Sequence, residues 1–133
     1  MRTRLAPAVA ALCVALALVA PAPALGRGGD DDDVRVSGTC GKGATSKLRL
    51  RAKDGAIQVE FEVKANRGGQ RWRVVLVHER RVAWRGRVRT RSGSESFRVR
   101  RSIPDFGGAD QVTARASGPR GNTCQATGVL TGA

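Results

Sequence analysis

Between Arg80 and Arg91 the chain reads RRVAWRGRVRTR, with arginine at alternate positions over much of its length and no acid among them. Alternate residues of an extended segment face the same side, so this stretch lines one face with guanidinium groups. A guanidinium is a planar fork that donates two parallel hydrogen bonds to a phosphate or a carboxylate. The chemistry on offer is recognition of anions. Bond-making chemistry is poorly served. His78 is the only histidine, and neither a nucleophile nor an acid is marked beside it as a catalytic triad requires. No G-x-S-x-G occurs. Asp105-Phe106-Gly107 spells a kinase signature, but the glycine-rich loop, the strand lysine and the length of a kinase are missing. We therefore expect no catalytic residue and no cofactor. A metal site is not expected either, because two cysteines and one histidine are too few ligands.

The elements that must carry these side chains are strands. From Val34 onward apolar and polar residues alternate almost throughout, in runs at about 34–40, 46–53, 56–64, 71–79, 82–90, 94–101, 110–117 and 122–129. The connections are rich in glycine, asparagine, aspartate and serine, and no segment after the N-terminal apolar run has a helical apolar stripe. Seven or eight short strands in about 100 residues make an antiparallel β-sandwich or small barrel. The clearest hairpin turns at Asp54-Gly55, a favoured two-residue pair. It sets Leu48, Leu50 and Ala52 opposite Phe61, Val59 and Ile57, and on the other face Lys47 and Arg49 opposite Glu62 and Glu60. Those glutamates, which could otherwise suggest a glycosidase pair, are thereby matched to bases.

The arginine-rich stretch has no such acids. With Glu79-Arg80-Arg81 as a loop, Arg71 and Arg73 face Arg89 and Arg87. A two-residue turn at Ser92-Gly93 would then set Arg87 against Arg98 and Arg85 against Arg100, making the strand at about 82–90 the centre of a three-stranded sheet. Like charges directly opposite cost about 0.2 to 1 kcal/mol per pair. The expected anion site is thus Arg71, Arg73, Arg85, Arg87, Arg89, Arg98 and Arg100; otherwise the same groups form a solvated basic face without a ligand. Trp72 and Trp84 have core parity, with Gly86 making room for an indole ring. Tyrosine is absent and no strand carries an RNA-binding aromatic signature, so nucleic acid is not expected as a specific ligand.

Composition and the N-terminus give the setting. Arg2 and Arg4 precede the apolar run LAPAVAALCVALALVA and the small-residue stretch APAPALG, the form of an export signal over residues 1–24 cut after Ala24. Cys13 lies inside that run and leaves with it, and no transmembrane segment remains after cleavage. Residues 25–33, with Asp30 to Asp33, read as an acidic linker without the spaced ligands of a calcium loop, or as a built-in competitor for the arginines. Residues 34–133 form the folded domain, which carries 21 basic and 7 acidic residues. A GC-rich genome accounts for arginine supplying 20 of the 24 basic residues, but not for the scarcity of acids. Such an excess fits a polyanionic partner. Cys40 and Cys124 remain, an even pair that reads as a disulfide in an exported chain. Closing a loop of about 85 residues removes about 4 to 5 kcal/mol of unfolded-state freedom in the chain-entropy model.

The stretches RWRVVLVHERRVAWRG and DQVTARA, the two cysteines and the signal resemble small secreted immunoglobulin- or fibronectin-III-like proteins of high-GC actinobacteria. The resemblance spans about Val34 to Val129 and implies an immunoglobulin-like β-sandwich outside the cytoplasm; no activity and no functional residue comes with it. It departs from antibody-type domains in placing its cysteines in the first and last strands. The expectation is an exported, monomeric, non-catalytic domain of the cell envelope or extracellular space, whose basic face takes an anionic polymer or lipid surface. The alternative is a purely structural domain.

Overall fold

The computed structural model describes residues 33–131. Within them nine strands follow in chain order: β1 (Asp33–Ser37), β2 (Thr39–Cys40), β3 (Thr45–Lys53), β4 (Ala56–Lys64), β5 (Arg71–His78), β6 (Arg81–Arg89), β7 (Ser96–Pro104), β8 (Asp110–Ser117) and β9 (Thr123–Leu130). A single 3-10 turn, Pro119–Gly121, links the last two. All pairings are antiparallel, in two sheets of order β1-β3-β4-β7 and β2-β9-β8-β5-β6. The segments read as export signal (1–24, with Cys13) and the linker up to residue 32 lie outside the described residues. Among the described residues no helix is long and apolar enough to cross a membrane.

Period-two patterning fixes which side of each strand is inside. Leu48, Leu50, Val59, Phe61 and Val63 of one sheet meet Trp72, Val74, Leu76, Val112, Ala114 and Ala126 of the other, all buried. The β3–β4 hairpin forms in the expected register, Leu48 to Phe61 and Arg49 to Glu60 included. Its turn residues Asp54 and Gly55 both have positive φ, 54° and 75°, the geometry whose twist matches the flanking strands. The first expected strand is divided. Gly38 separates β1 in the smaller sheet from β2 in the larger, at a spot where a Cβ would lie 2.1 Å from the Ser46 hydroxyl. This switch closes one side of the sandwich. The disulfide then forms between facing residues of neighbouring strands, Cys40 on β2 and Cys124 on β9.

The three-stranded arginine sheet is not formed. β5 and β6 pair as expected, with Arg71 opposite Arg89, Arg73 opposite Arg87 and Leu76 opposite Trp84. The connection is a two-residue turn, Glu79-Arg80, both at positive φ, with a bulge near Ala83 that supplies the residue assigned to a three-residue loop. β7, however, leaves for the smaller sheet and pairs with β4, so Arg98 faces Glu62 and Arg100 faces Glu60. β6 is therefore an edge strand, not a centre. Two connections between the sheets run side by side at this end, and the buried Thr90 stitches them. Its hydroxyl accepts from the Gln70 amide at 2.9 Å and donates to the Arg67 carbonyl at 2.8 Å, while its amide donates to the Gln70 carbonyl. Gly68 passes so close that a Cβ there would lie 2.8 Å from the Ser92 Cα.

The order β9-β8-β5-β6 is that of strands G, F, C and C′ in an immunoglobulin sandwich. The four-stranded sheet differs, because β4 is inserted between β3 and β7.

Candidate anion-binding face

The outward side of the larger sheet can be read rung by rung from its register. Arg89 lies beside Arg71, and Arg87 beside Arg73 and then Ser117. The third rung is Arg85, Val75 and Arg115. Successive outward positions on a strand are about 6.8 Å apart and neighbouring strands about 4.8 Å, so six guanidinium stems stand on a patch roughly 14 Å by 10 Å. All six are exposed. Among the described residues no acid lies within ion-pair distance of any of them, and the one side-chain bond is from Arg89 to the Gly69 carbonyl, 3.4 Å away. A shallow depression between Arg71, Arg73, Arg87, Ser117 and Pro119 runs across the rungs. Beyond the third rung the face turns neutral, with Val77, Val82, Thr113 and Thr127.

The smaller sheet treats its charges oppositely. Arg98 donates from Nε to Glu62 Oε2 at 3.0 Å and reaches Glu60 at 3.4 Å, and Arg100 Nε is 3.3 Å from the other Glu60 oxygen. Hydrogen bonding to Glu62 raises the Arg98 pKa further above its ordinary value. Arg49, facing Glu60 in register, gives its fork to Asp33 instead, with bonds of 3.0 and 2.7 Å. Those bonds, from Arg49, hold the Asp33 carboxyl below its ordinary value. Asp33 thus belongs to β1 and to the smaller sheet, while Asp30 to Asp32 lie outside the described residues.

Of the seven arginines expected to form one site, five share a face: Arg71, Arg73, Arg85, Arg87 and Arg89. Arg98 and Arg100 are on the opposite layer, because β7 finds acids on β4 where β6 would have offered only more arginine. Arg115 was missed. It has outward parity in DQVTARAS, and only the neighbouring of β8 and β5 brings it to the others.

The aromatic residues divide in the same way. Trp72 is buried as expected, with Phe97 across the sheets at 5.7 Å and Gly118 beneath, where a Cβ would lie 2.5 Å from the indole. Trp84 is only partly buried, since β6 is an edge; Gly86 makes room for its ring as expected, and the Arg101 guanidinium covers it at 4.5 Å. Arg101 has inward parity on β7, a charge placed where the sandwich stays open. Phe106 is 65% exposed and stacks on the ring of His78, which is itself buried. His78 does have an acid beside it: Nε2 is 2.7 Å from Oδ1 of buried Asp110, a contact between β5 and β8 that sequence spacing does not show.

No protein-family model matches the chain, and searches of curated proteins and of solved structures find no match, so what the arginine face does has to be argued from its own geometry.

Proposed function

We propose that this protein is a non-catalytic binding module of the envelope or extracellular space, and that the β5–β6–β8 face takes a linear anionic polymer. The observation that carries this is the contrast between the two outer faces. The smaller sheet pairs Arg49, Arg98 and Arg100 with Asp33, Glu62 and Glu60, whereas the larger holds six arginines with no acid among the described residues in reach. Clustered like charge raises the local potential and the on-rate for a ligand of opposite sign, and the fork geometry of arginine suits phosphate, sulfate and carboxylate groups. The open, flat shape favours a chain lying along the strands over a small molecule enclosed in a cleft. The disulfide supports a place in an oxidising compartment.

The test is retention on a polyphosphate or heparin matrix under a salt gradient. If six contacts form with a flexible polyanion, log affinity falls against log salt with a slope of about −4. Elution well above 0.15 M salt is expected. Flow-through at that ionic strength would overturn the reading and leave a structural domain with a solvated basic face.

A further inference from the structure

The end of the sandwich near the Glu79-Arg80 turn holds a second cluster, on different chemistry from the arginine face. His78 and Asp110 are 2% and 1% exposed, and their side chains meet at 2.7 Å. Glu79 follows His78 at the turn, and its Oε1 accepts the Gln111 amide at 2.6 Å. One ligand atom from each of His78, Glu79 and Asp110 lies within 4.8 Å of the others. The second oxygen of Asp110 is buried and has no hydrogen-bond partner among the described residues. A buried carboxylate with one oxygen unpaired is an expensive arrangement, and it turns a bare cluster into a place suited to positive charge.

We propose that His78, Glu79 and Asp110 form a binding site for a divalent transition-metal ion, with Zn²⁺ the best fit. One imidazole nitrogen and two carboxylates suit a borderline ion better than calcium or magnesium, which take oxygen ligands throughout. Three protein ligands leave a fourth position for water. Donors about 2.0 Å from a tetrahedral ion stand roughly 3.3 Å apart, so the ligand atoms, now within 4.8 Å of one another, draw in around the metal as Asp110 gives it the unpaired Oδ2. Nε2 must then present its lone pair to the ion, which requires that the ring proton sit on Nδ1. The stacked Phe106 ring, 4.8 Å from the imidazole, keeps the histidine aimed at Asp110. Gln111 does the same for Glu79 by occupying one of its oxygens and leaving the other for the ion. Arg80 and Arg81 next to the turn oppose a cation, and the two carboxylates offset them.

Since His78 is the only histidine, its ring resonances report on the site without ambiguity. The untagged, disulfide-intact protein, stripped with chelator, is titrated with Zn²⁺ and followed by ring nitrogen NMR and thermal unfolding. One equivalent is expected to shift the Nε2 resonance, and zinc at about a hundredfold over its Kd to raise Tm by about 10 °C or more. Glu79→Gln keeps the acceptor for Gln111 but removes the charged ligand, and is expected to weaken zinc at least tenfold while leaving the metal-free Tm unchanged. An imidazole unmoved by 1 mM Zn²⁺, or zinc affinity equal in Glu79→Gln and the unaltered protein, would overturn the assignment. The cluster would then be a buried histidine–aspartate pair that joins β5 to β8.

Discussion

Arg87→Glu asks for two effects of opposite sign from one substitution. Arg87 stands on edge strand β6 with Arg73 directly across and Arg85 and Arg89 two residues away on the same face. Two unit charges about 6 Å apart interact by about 0.7 kcal/mol in water. Reversing one of them swings the pair by about twice that, and a Debye length of about 8 Å at physiological salt roughly halves the swing. Exposure and side-chain freedom reduce it again, which leaves a net gain of about 0.5 kcal/mol, or a rise in Tm of about 2 to 4 °C for a domain of this size. The gain should fade at 1 M salt. Retention on polyphosphate should drop at the same time, with the salt slope becoming shallower by one to two contacts, from about −4 to about −3. Arg98→Glu is the control. It sits opposite Glu62 on the other layer, so it should destabilise the fold and leave retention unchanged. Loss of stability in Arg87→Glu, or equal loss of retention in both variants, would refute the division of arginines between the sheets.

Cys40→Ser should lower stability by about 2 to 5 kcal/mol in chemical unfolding, and the unaltered protein should show no reactive thiol when denatured without reductant; two reactive thiols in the unaltered protein would contradict the Cys40–Cys124 bond. Gly118→Ala should cost about 1 to 3 kcal/mol, because Gly118 has φ −108°, acceptable for alanine, but the added carbon meets buried Trp72 at 2.5 Å. Gly86→Ala creates an equally close contact with Trp84, yet should cost less, since that ring lies at the open edge and can swing outward; tryptophan-detected unfolding compares the two. Asp33 is held by Arg49 below its ordinary pKa of 3.8, so its contribution is complete above that value and is lost as pH falls through the lower folded-state value. Asp33→Asn should therefore be less stable than the unaltered protein at pH 6, with the difference closing as pH falls below the ordinary value of 3.8 and through the lower folded-state value.

Local rules make most of this fold legible in the amino-acid pattern. Alternation marked the strands to within a few residues, except that it read β1 and β2 as one, and the Asp54-Gly55 pair set both the turn and the register of β3 on β4. The register of β5 on β6 was also legible, although the residue count of the loop was met by a tight turn plus a bulge. What local rules could not see was which layer each hairpin partner joins. RSGS between β6 and β7 has the residues of a hairpin turn, and the apolar faces of Val88 and Phe97 match whichever sheet receives them. Distant contacts decide that choice: Thr90 bonding back to Arg67 and Gln70, Gly68 passing Ser92, and the switch of the first strand at Gly38. The same limit hid Asp110 from His78 and Arg115 from Arg85, since each pair meets only through the neighbouring of β8 and β5.

One long-range signal was nevertheless written in the side chains. β4 presents Glu60 and Glu62 outward, and β3 offers Arg49 and Lys47 to one flank of them. A strand in the middle of a sheet has two flanks, and an acid on it can serve both. Arg98 and Arg100 on β7 have the spacing of Glu62 and Glu60, so pairing with β4 sets opposite charges across from each other at both positions. Pairing with β6 would instead have set Arg87 against Arg98 and Arg85 against Arg100, each at a cost of about 0.2 to 1 kcal/mol. Phe97, Val99 and Ile103 lose nothing by the choice, because Val63, Phe61 and Ile57 await them in the same register. Apolar pattern is indifferent between the two sheets, and charge is not. The acids of β4 draw β7 away and leave β6 as an edge, with its arginines and those of β5 and β8 facing outward beside no acid among the described residues. The feature that suggests a binding face is thus produced by the same pairing preference that sets the topology.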